Sequence, residues 1–249
     1  MKTGDALTKE AASELKHLSL AKPALDIGLF TNQADQLASF WQEAIGAEFD
    51  HILPISKTVR QHRHTFGHGV LKINQSKQRL KLSGPSGFGR ILVAQDGVAD
   101  AVAQQDPDGN LFQRTPMGDR GLKHWAIEVK VPSLDVFLRF YHQALGLTRA
   151  EEHPGAVAVG DSLIIAEIDP DLKAPEASHA LEYLGLRYFT IQVFDVDAIH
   201  AQVTALGWQA PMPPTTLGST ARIAFVTDPA GNWIELSQRA SLTGPLPID

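Results

Sequence analysis

The sequence contains itself twice. Phe40-Trp41-Gln42-Glu43-Ala44-Ile45-Gly46 recurs 100 positions later as Phe140-Tyr141-His142-Gln143-Ala144-Leu145-Gly146, and the same offset pairs Ile27 with Ile127 and Asp35 with Asp135. A second landmark, Asp106-Pro107-Asp108-Gly109-Asn110, recurs as Asp228-Pro229-Ala230-Gly231-Asn232, at an offset of 122. Two landmarks repeated in the same order describe a duplicated domain, not a solenoid of short repeats. The unequal offsets mean that the first copy lacks about 22 residues between its landmarks.

The local patterns give each landmark a structure. His124 to Val131 alternates and is rich in β-branched residues, which predicts a strand. Ser133 is placed as an N-cap, Leu134, Phe137, Leu138, Tyr141 and Leu145 keep helical spacing, and Gly146 supplies the stop. Ala156 to Val159, a Gly160-Asp161 turn and Leu163 to Ile168 then predict a hairpin. Residues 186–238 repeat the order: a strand over Leu186 to Phe194, a helix capped by Asp195 or Asp197 and closed by Gly207, and a last hairpin around the Asp228–Asn232 turn. Residues 24–74 give a third such unit. Arg90 to Gln113 give a fourth, with too little chain for its helix. Residues 1–22 predict an amphipathic helix and linker, Gly84 to Gly89 a linker, and residues 240–249 a loose tail.

Composition narrows the function classes. The chain has 249 residues, 22 basic and 28 acidic, for a net charge of −6, so it has no general field to attract phosphates and nucleic acid is not an expected partner. Cysteine is absent. That removes disulfide scaffolds, thiolate metal sites and cysteine nucleophiles, and fits a reducing compartment. No apolar run approaches the roughly 20 residues of a membrane span, and charges fall where a signal peptide needs its apolar centre. A cytoplasmic protein without a membrane partner is expected.

Four tandem βαβββ units, with DPxGN turns closing the second and fourth, resemble the vicinal-oxygen-chelate superfamily of glyoxalase I, extradiol dioxygenases, and fosfomycin- and bleomycin-resistance proteins. The resemblance covers residues 24 to about 238. It implies an α+β fold of two cup-shaped domains, 23–117 with a degenerate second module and 121–240, after the N-terminal helix and before the tail 241–249. It also implies a divalent metal ion (Fe, Mn, Zn or Ni) held by side chains on the first strand of each module and on late strands, all facing into the cup. Fold alone does not name the reaction.

Carried onto this sequence, the resemblance gives His124, Tyr188 and Glu235 as metal ligands. Tyr188 replaces a histidine and is also the candidate catalytic group, as a substrate hydrogen-bond donor. The remaining late-strand position falls on Ile165, with Glu167 two residues on. The first copy reads as metal-poor: Ala24, Gln113 and a position near Lys72 match His124, Glu235 and the late-strand ligand. Asp26 reads as a structural acceptor. On a strand, His62, His64 and His68 would share a face with Lys72 beyond, most simply as a polar face and otherwise as a second metal or anion site. The dioxygenase pattern also departs from the family, with Phe225 at its tyrosine position and no histidine in Thr215–Gly218.

Two functions from different classes follow. One is a metal-dependent enzyme, glyoxalase- or dioxygenase-like, acting on a small organic substrate with adjacent oxygens. The other is a metal-free binding or drug-sequestering protein whose cup holds an aromatic ligand against Trp125, Trp233 and Phe225. The resemblance admits a homodimer.

Overall fold

The computed structural model describes residues 17–82, 86–172 and 180–247. The helix predicted near the N-terminus therefore lies mostly outside the described residues, as do Gly84 and Pro85. All four modules are present. The first comprises β1 (Asp26–Thr31), α1 (Ala34–Ile45), β2 (Glu48–Pro54), β3 (Val59–Phe66) and β4 (Gly69–Ser76). The second is only β5 (Phe88–Gln95), β6 (Val102–Gln105) and β7 (Leu111–Pro116); its helix is gone, as the shorter offset requires. The third has β8 (Trp125–Val131), α2 (Leu134–Phe137), which runs on as a π-helix over Leu138–Ala144, β9 (Thr148–Arg149), β10 (Ala156–Val159) and β11 (Ser162–Ile168). The fourth has β12 (Gly185–Gln192), α3 (Val196–Ala205), β13 (Met212–Leu217), β14 (Ala221–Thr227) and β15 (Trp233–Arg239).

The local chemistry is what the sequence predicts. Ser133 Oγ accepts from Val136 N and Asp195 Oδ1 from Ala198 N, so each caps its helix. Gly46 and Gly146 end the first and third modules' helices in the left-handed region, at φ 73° and 75°, where a side chain would be strained. The helix after Ser133 departs from α geometry in its second half, where Leu145 N donates to Phe140 O, five residues back. The tail is not wholly loose, since Ala240–Thr243 forms one helical turn. Among the described residues no helix is long and apolar enough to cross a membrane.

The strands form two curled sheets. One has eight strands in the order β13-β14-β15-β12-β1-β4-β3-β2, the other seven in the order β6-β7-β5-β8-β11-β10-β9. The first and fourth modules thus share one sheet, and the second and third share the other. This corrects the expectation that residues 24–116 and 121–240 each close into their own cup. The fold consists of two cups, one from the first and fourth modules and the other from the second and third. The seam of the first sheet is antiparallel, with Asp26 opposite Thr190 and Ile27 opposite Phe189. The seam of the second sets Ile91 opposite Ile127.

Consecutive modules are nevertheless locked together, by the two landmarks of the repeat. Tyr141 in the third module's helix donates to Asp228 Oδ2 at 2.7 Å, and Trp41 in α1 donates through Nε1 to Asp106 Oδ2 at 3.3 Å. Each aspartate also accepts two backbone N–H groups of its own turn and the side-chain amide of Asn232 or Asn110. Those asparagines reach on into the opposite sheet. Asn110 Oδ1 accepts from Leu186 N at the start of β12, and Asn232 Oδ1 from Gly87 N just before β5. Burial raises the Asp228 carboxyl to about 6 and pushes the Tyr141 phenol up as well. Removing one donor leaves a buried carboxylate oxygen short of a partner. Tyr141→Phe should therefore lower the unfolding free energy by about 1–3 kcal/mol in urea titrations, and Trp41→Phe by less through its longer bond; an unchanged midpoint for Tyr141→Phe would show the lock to be ornamental.

Candidate active site

The cup of the first sheet collects the charged and polar side chains that alternate with core residues along its strands. On β1, Ile27 and Leu29 enter the core while Asp26, Gly28 and Phe30 face the cup; on β4, Leu71 and Ile73 alternate in the same way with Lys72 and Asn74. Tyr188 and Thr190 come from β12 and Glu235 from β15, where Glu235 lies opposite Thr190. The Tyr188 ring lies across Gly28, where a Cβ would stand 2.1 Å from it, so only glycine admits the ring.

Lys72 sits at the centre of this floor and is 3% exposed. Its Nζ donates to Glu235 Oε2 at 2.9 Å and to Thr190 Oγ1 at 2.6 Å, and lies 3.8 Å from Asp26 Oδ2. Thr190 in turn donates to Glu235 at 2.7 Å. Asp26 accepts from Val70 N, Gln192 Nε2 and Lys22. Burial opposes its ionisation, but Lys72 and Lys22 outweigh that and hold its carboxyl below the ordinary range. Beside this group, Gln61 Nε2 and Asn74 Nδ2 both donate to the Tyr188 hydroxyl at 3.3 Å. Burial, and then the field of Glu235, keep that phenol protonated.

The sequence-predicted ligands do not converge. Tyr188 and Glu235 share the first cup, but His124 immediately precedes β8, in the other sheet. Its Nε2 donates to Phe66 O at 2.6 Å, and its ring packs on Phe66 and Trp125. Burial lowers its pKa, keeping it neutral. The physical reason is the sheet pairing: His124 and Tyr188 belong to consecutive modules, which lie in different sheets. In the first cup the late-strand position is held by Lys72, whose ammonium occupies the space between carboxylates that a cation would need. Among the described residues no three histidine, aspartate or glutamate side chains group to hold a metal. The residues of this cup do not fit a divalent ion.

The second cup is simpler. Arg90 donates to Glu128 at 2.6 Å and to Gln113, the counterpart of Glu235, at 2.7 Å, with Glu167 close to Gly89. Ile165 packs with Leu92 and Leu163. The histidine-rich strand is divided. His62 and His64 do share one face, but it is opposite to that of Lys72; His62 meets Gln75 and His64 packs on Phe49. His68 lies in the following turn, 3.6 Å from Asp161. Trp125 is a core residue whose indole N–H donates to Leu25 O. Trp233 instead stacks with Phe225, 5.2 Å away, on the cup wall. The residues that sequence reasoning missed are Arg63, Thr190 and Arg239; the signal available was the polar alternation Gln61, Arg63 and Lys72, Asn74.

Two outcomes follow for stability. Lys72→Met strands Asp26 and Glu235 without their shared cation and should cost about 3–5 kcal/mol, whereas Glu235→Gln leaves Lys72 with Asp26 and Thr190 and should cost clearly less in the same chemical denaturation. For His124, a folded-state pKa lowered from 6.5 means the unfolded chain binds the proton more readily below that pH. The stability advantage of the natural protein over His124→Gln should hold above pH 6.5 and shrink as pH falls below it; an advantage that grows on acidification would reverse this assignment.

Comparison with known proteins agrees with this architecture. Residues 121–236 match the family model described as Glyoxalase/Bleomycin resistance protein/Dioxygenase superfamily. Glyoxalase I from Zea mays superposes with a TM-score of 0.67 at 15% identity, covering 86% of this chain and 92% of that one. A putative dioxygenase from Bacillus subtilis gives 0.61 at 10% identity, covering 94% and 92%. The cppA protein of Streptococcus pneumoniae gives 0.52 at 11% identity, covering 88% and 99%. At these identities the likeness is one of fold. No curated protein matches the sequence. It is the 121–236 segment that carries the sequence likeness to the glyoxalase/bleomycin resistance protein/dioxygenase superfamily.

Proposed function

We propose that the chain binds a small organic molecule in the cup of its first sheet, and does so without a metal. The observation that carries this reading is Lys72. A lysine ammonium, paired with Glu235 and held by Thr190, supplies fixed positive charge at the floor where a family relative would use an ion. Removing the charge for a metal to enter would leave two buried carboxylates to be satisfied at once.

The second support is Tyr188. Its oxygen accepts two amide N–H groups, while among the described residues no acceptor takes its proton. A neutral phenol held in this way is a directed donor for a ligand oxygen, at little cost in reorganisation. Phe225 and Trp233 then offer an apolar wall beside it, with Phe225 5.8 Å from the Tyr188 ring. Polar floor and aromatic wall are the usual composition of a small-molecule site. The metal-dependent enzyme implied by the resemblance is the competing reading, and it requires Lys72 to be displaced.

The two are separated by elemental analysis of the purified protein, combined with titration of 2-naphthoate followed by tryptophan fluorescence, with and without a chelator. Metal-independent, saturable binding is expected, together with Tyr188→Phe weakening it about fivefold for one lost hydrogen bond. Binding that vanishes in chelator and returns with added Mn, Zn or Ni overturns the proposal.

A further inference from the structure

The floor of the first cup carries more positive charge than it uses. Lys72 is spent on Glu235 and Asp26, and Lys22 on Asp26. Two further cations face the same space. Arg63 on β3 lies directly opposite Lys72 in the β3–β4 register, so both point from one face of the sheet. Arg239 on β15 follows Glu235 and Ser237 on the cup-facing side of that strand.

Among the described residues neither guanidinium is in an ion pair. Arg63 is only 5% exposed, yet among the described residues its one hydrogen bond runs from Nη1 to the neutral Gln61 at 2.8 Å, and its buried Nε has no partner. Arg239 makes no side-chain hydrogen bond or ion pair among the described residues. The two oppose one another: burial, and then the field of Arg63, lower the pKa of Arg239, with Asp26, Glu235 and Asp50 pulling the other way. Asp50 is half-exposed, 2.9 Å from His51 Nδ1. A buried arginine without a counter-charge is among the more costly features a fold can carry, unless a ligand supplies the missing anion. The second cup lacks this surplus, because its Arg90 is matched by Glu128.

We propose that the first cup is built for an organic anion, a carboxylate on a flat aromatic body, with Arg63 and Arg239 gripping the carboxylate and Phe225 and Trp233 covering the ring. A guanidinium fork matches a carboxylate in geometry as well as in charge. Tyr188 donates to a further oxygen of the same molecule. This rests on the reading of the cup as a metal-free binding site and specifies what it binds.

The test uses the full chain in chelator, with 2-naphthoate and its uncharged analogue 2-naphthamide as paired probes. Naphthoate should bind at least about tenfold more tightly than the amide. Arg63→Gln and Arg239→Gln should each remove most of that preference. Because Arg63 is an uncompensated charge in the free protein, Arg63→Gln should also unfold at a temperature no lower than the natural protein, the mark of a residue kept for its ligand. Arg239→Gln, at a half-buried position, keeps the test open if Arg63→Gln folds poorly. Equal affinity for acid and amide, or naphthoate binding unaffected in both variants, overturns the anion assignment while leaving a metal-free cup in place. Binding of both probes only after metal is added overturns the underlying reading instead, and no saturable binding under any of these conditions overturns both.

Discussion

The structure hangs on two buried carboxylates. Asp106 and Asp228 each gather their own turn, a helix of the preceding module and an asparagine into one cluster, and that asparagine fixes a backbone N–H at the start of a strand in the opposite sheet. An ionised carboxylate is tolerated out of water only when its lone pairs are taken up, and here four donors do so. Both landmarks of the duplication are the two halves of this lock: the aromatic of the helix motif donates, and the aspartate of the turn motif accepts. Their repetition in the sequence is the repetition of one hydrogen-bonded joint.

That joint explains how modules adjacent in sequence hold together while lying in different sheets. The chain passes from the first sheet to the second, lays down two modules there, and returns for the last. Sheet pairing is then settled at the seams β1–β12 and β5–β8. Nothing in the alternation of a strand says which of three similar strands it will meet, because each module presents the same kind of edge. The strands, the Ser133 cap, the glycine stops and the missing helix were therefore legible, and the other cap was narrowed to Asp195 or Asp197, whereas the pairing was not.

The same ambiguity governed the site. Tyr188 and Glu235 were legible as cup-facing residues because the DPxGN turn fixes the register of β15, and Asp26 was legible as an acceptor. His124 failed as their companion since it was aligned by sequence order, while the true companions of β12 and β15 come from β1, β4 and β3, more than a hundred residues earlier. Lys72 was visible at the right position but without its partner. A lysine in an isolated strand reads as a solvated face; only the seam reveals that it closes on Glu235.

The seam also sets an order of events. Asp26 and Thr190 are neighbours in the finished sheet but lie 164 residues apart in the chain. As a polypeptide emerges from its N-terminus, the second and third modules can complete their sheet while β1 still presents an unpaired edge, waiting for a strand not yet made. Closing so distant a contact is entropically slow. Until it closes, the cup has no floor: Asp26 and Lys72 are present, but Thr190, Tyr188 and Glu235 are not. The site is therefore among the last features of the molecule to exist, and its appearance reports that the whole chain has folded.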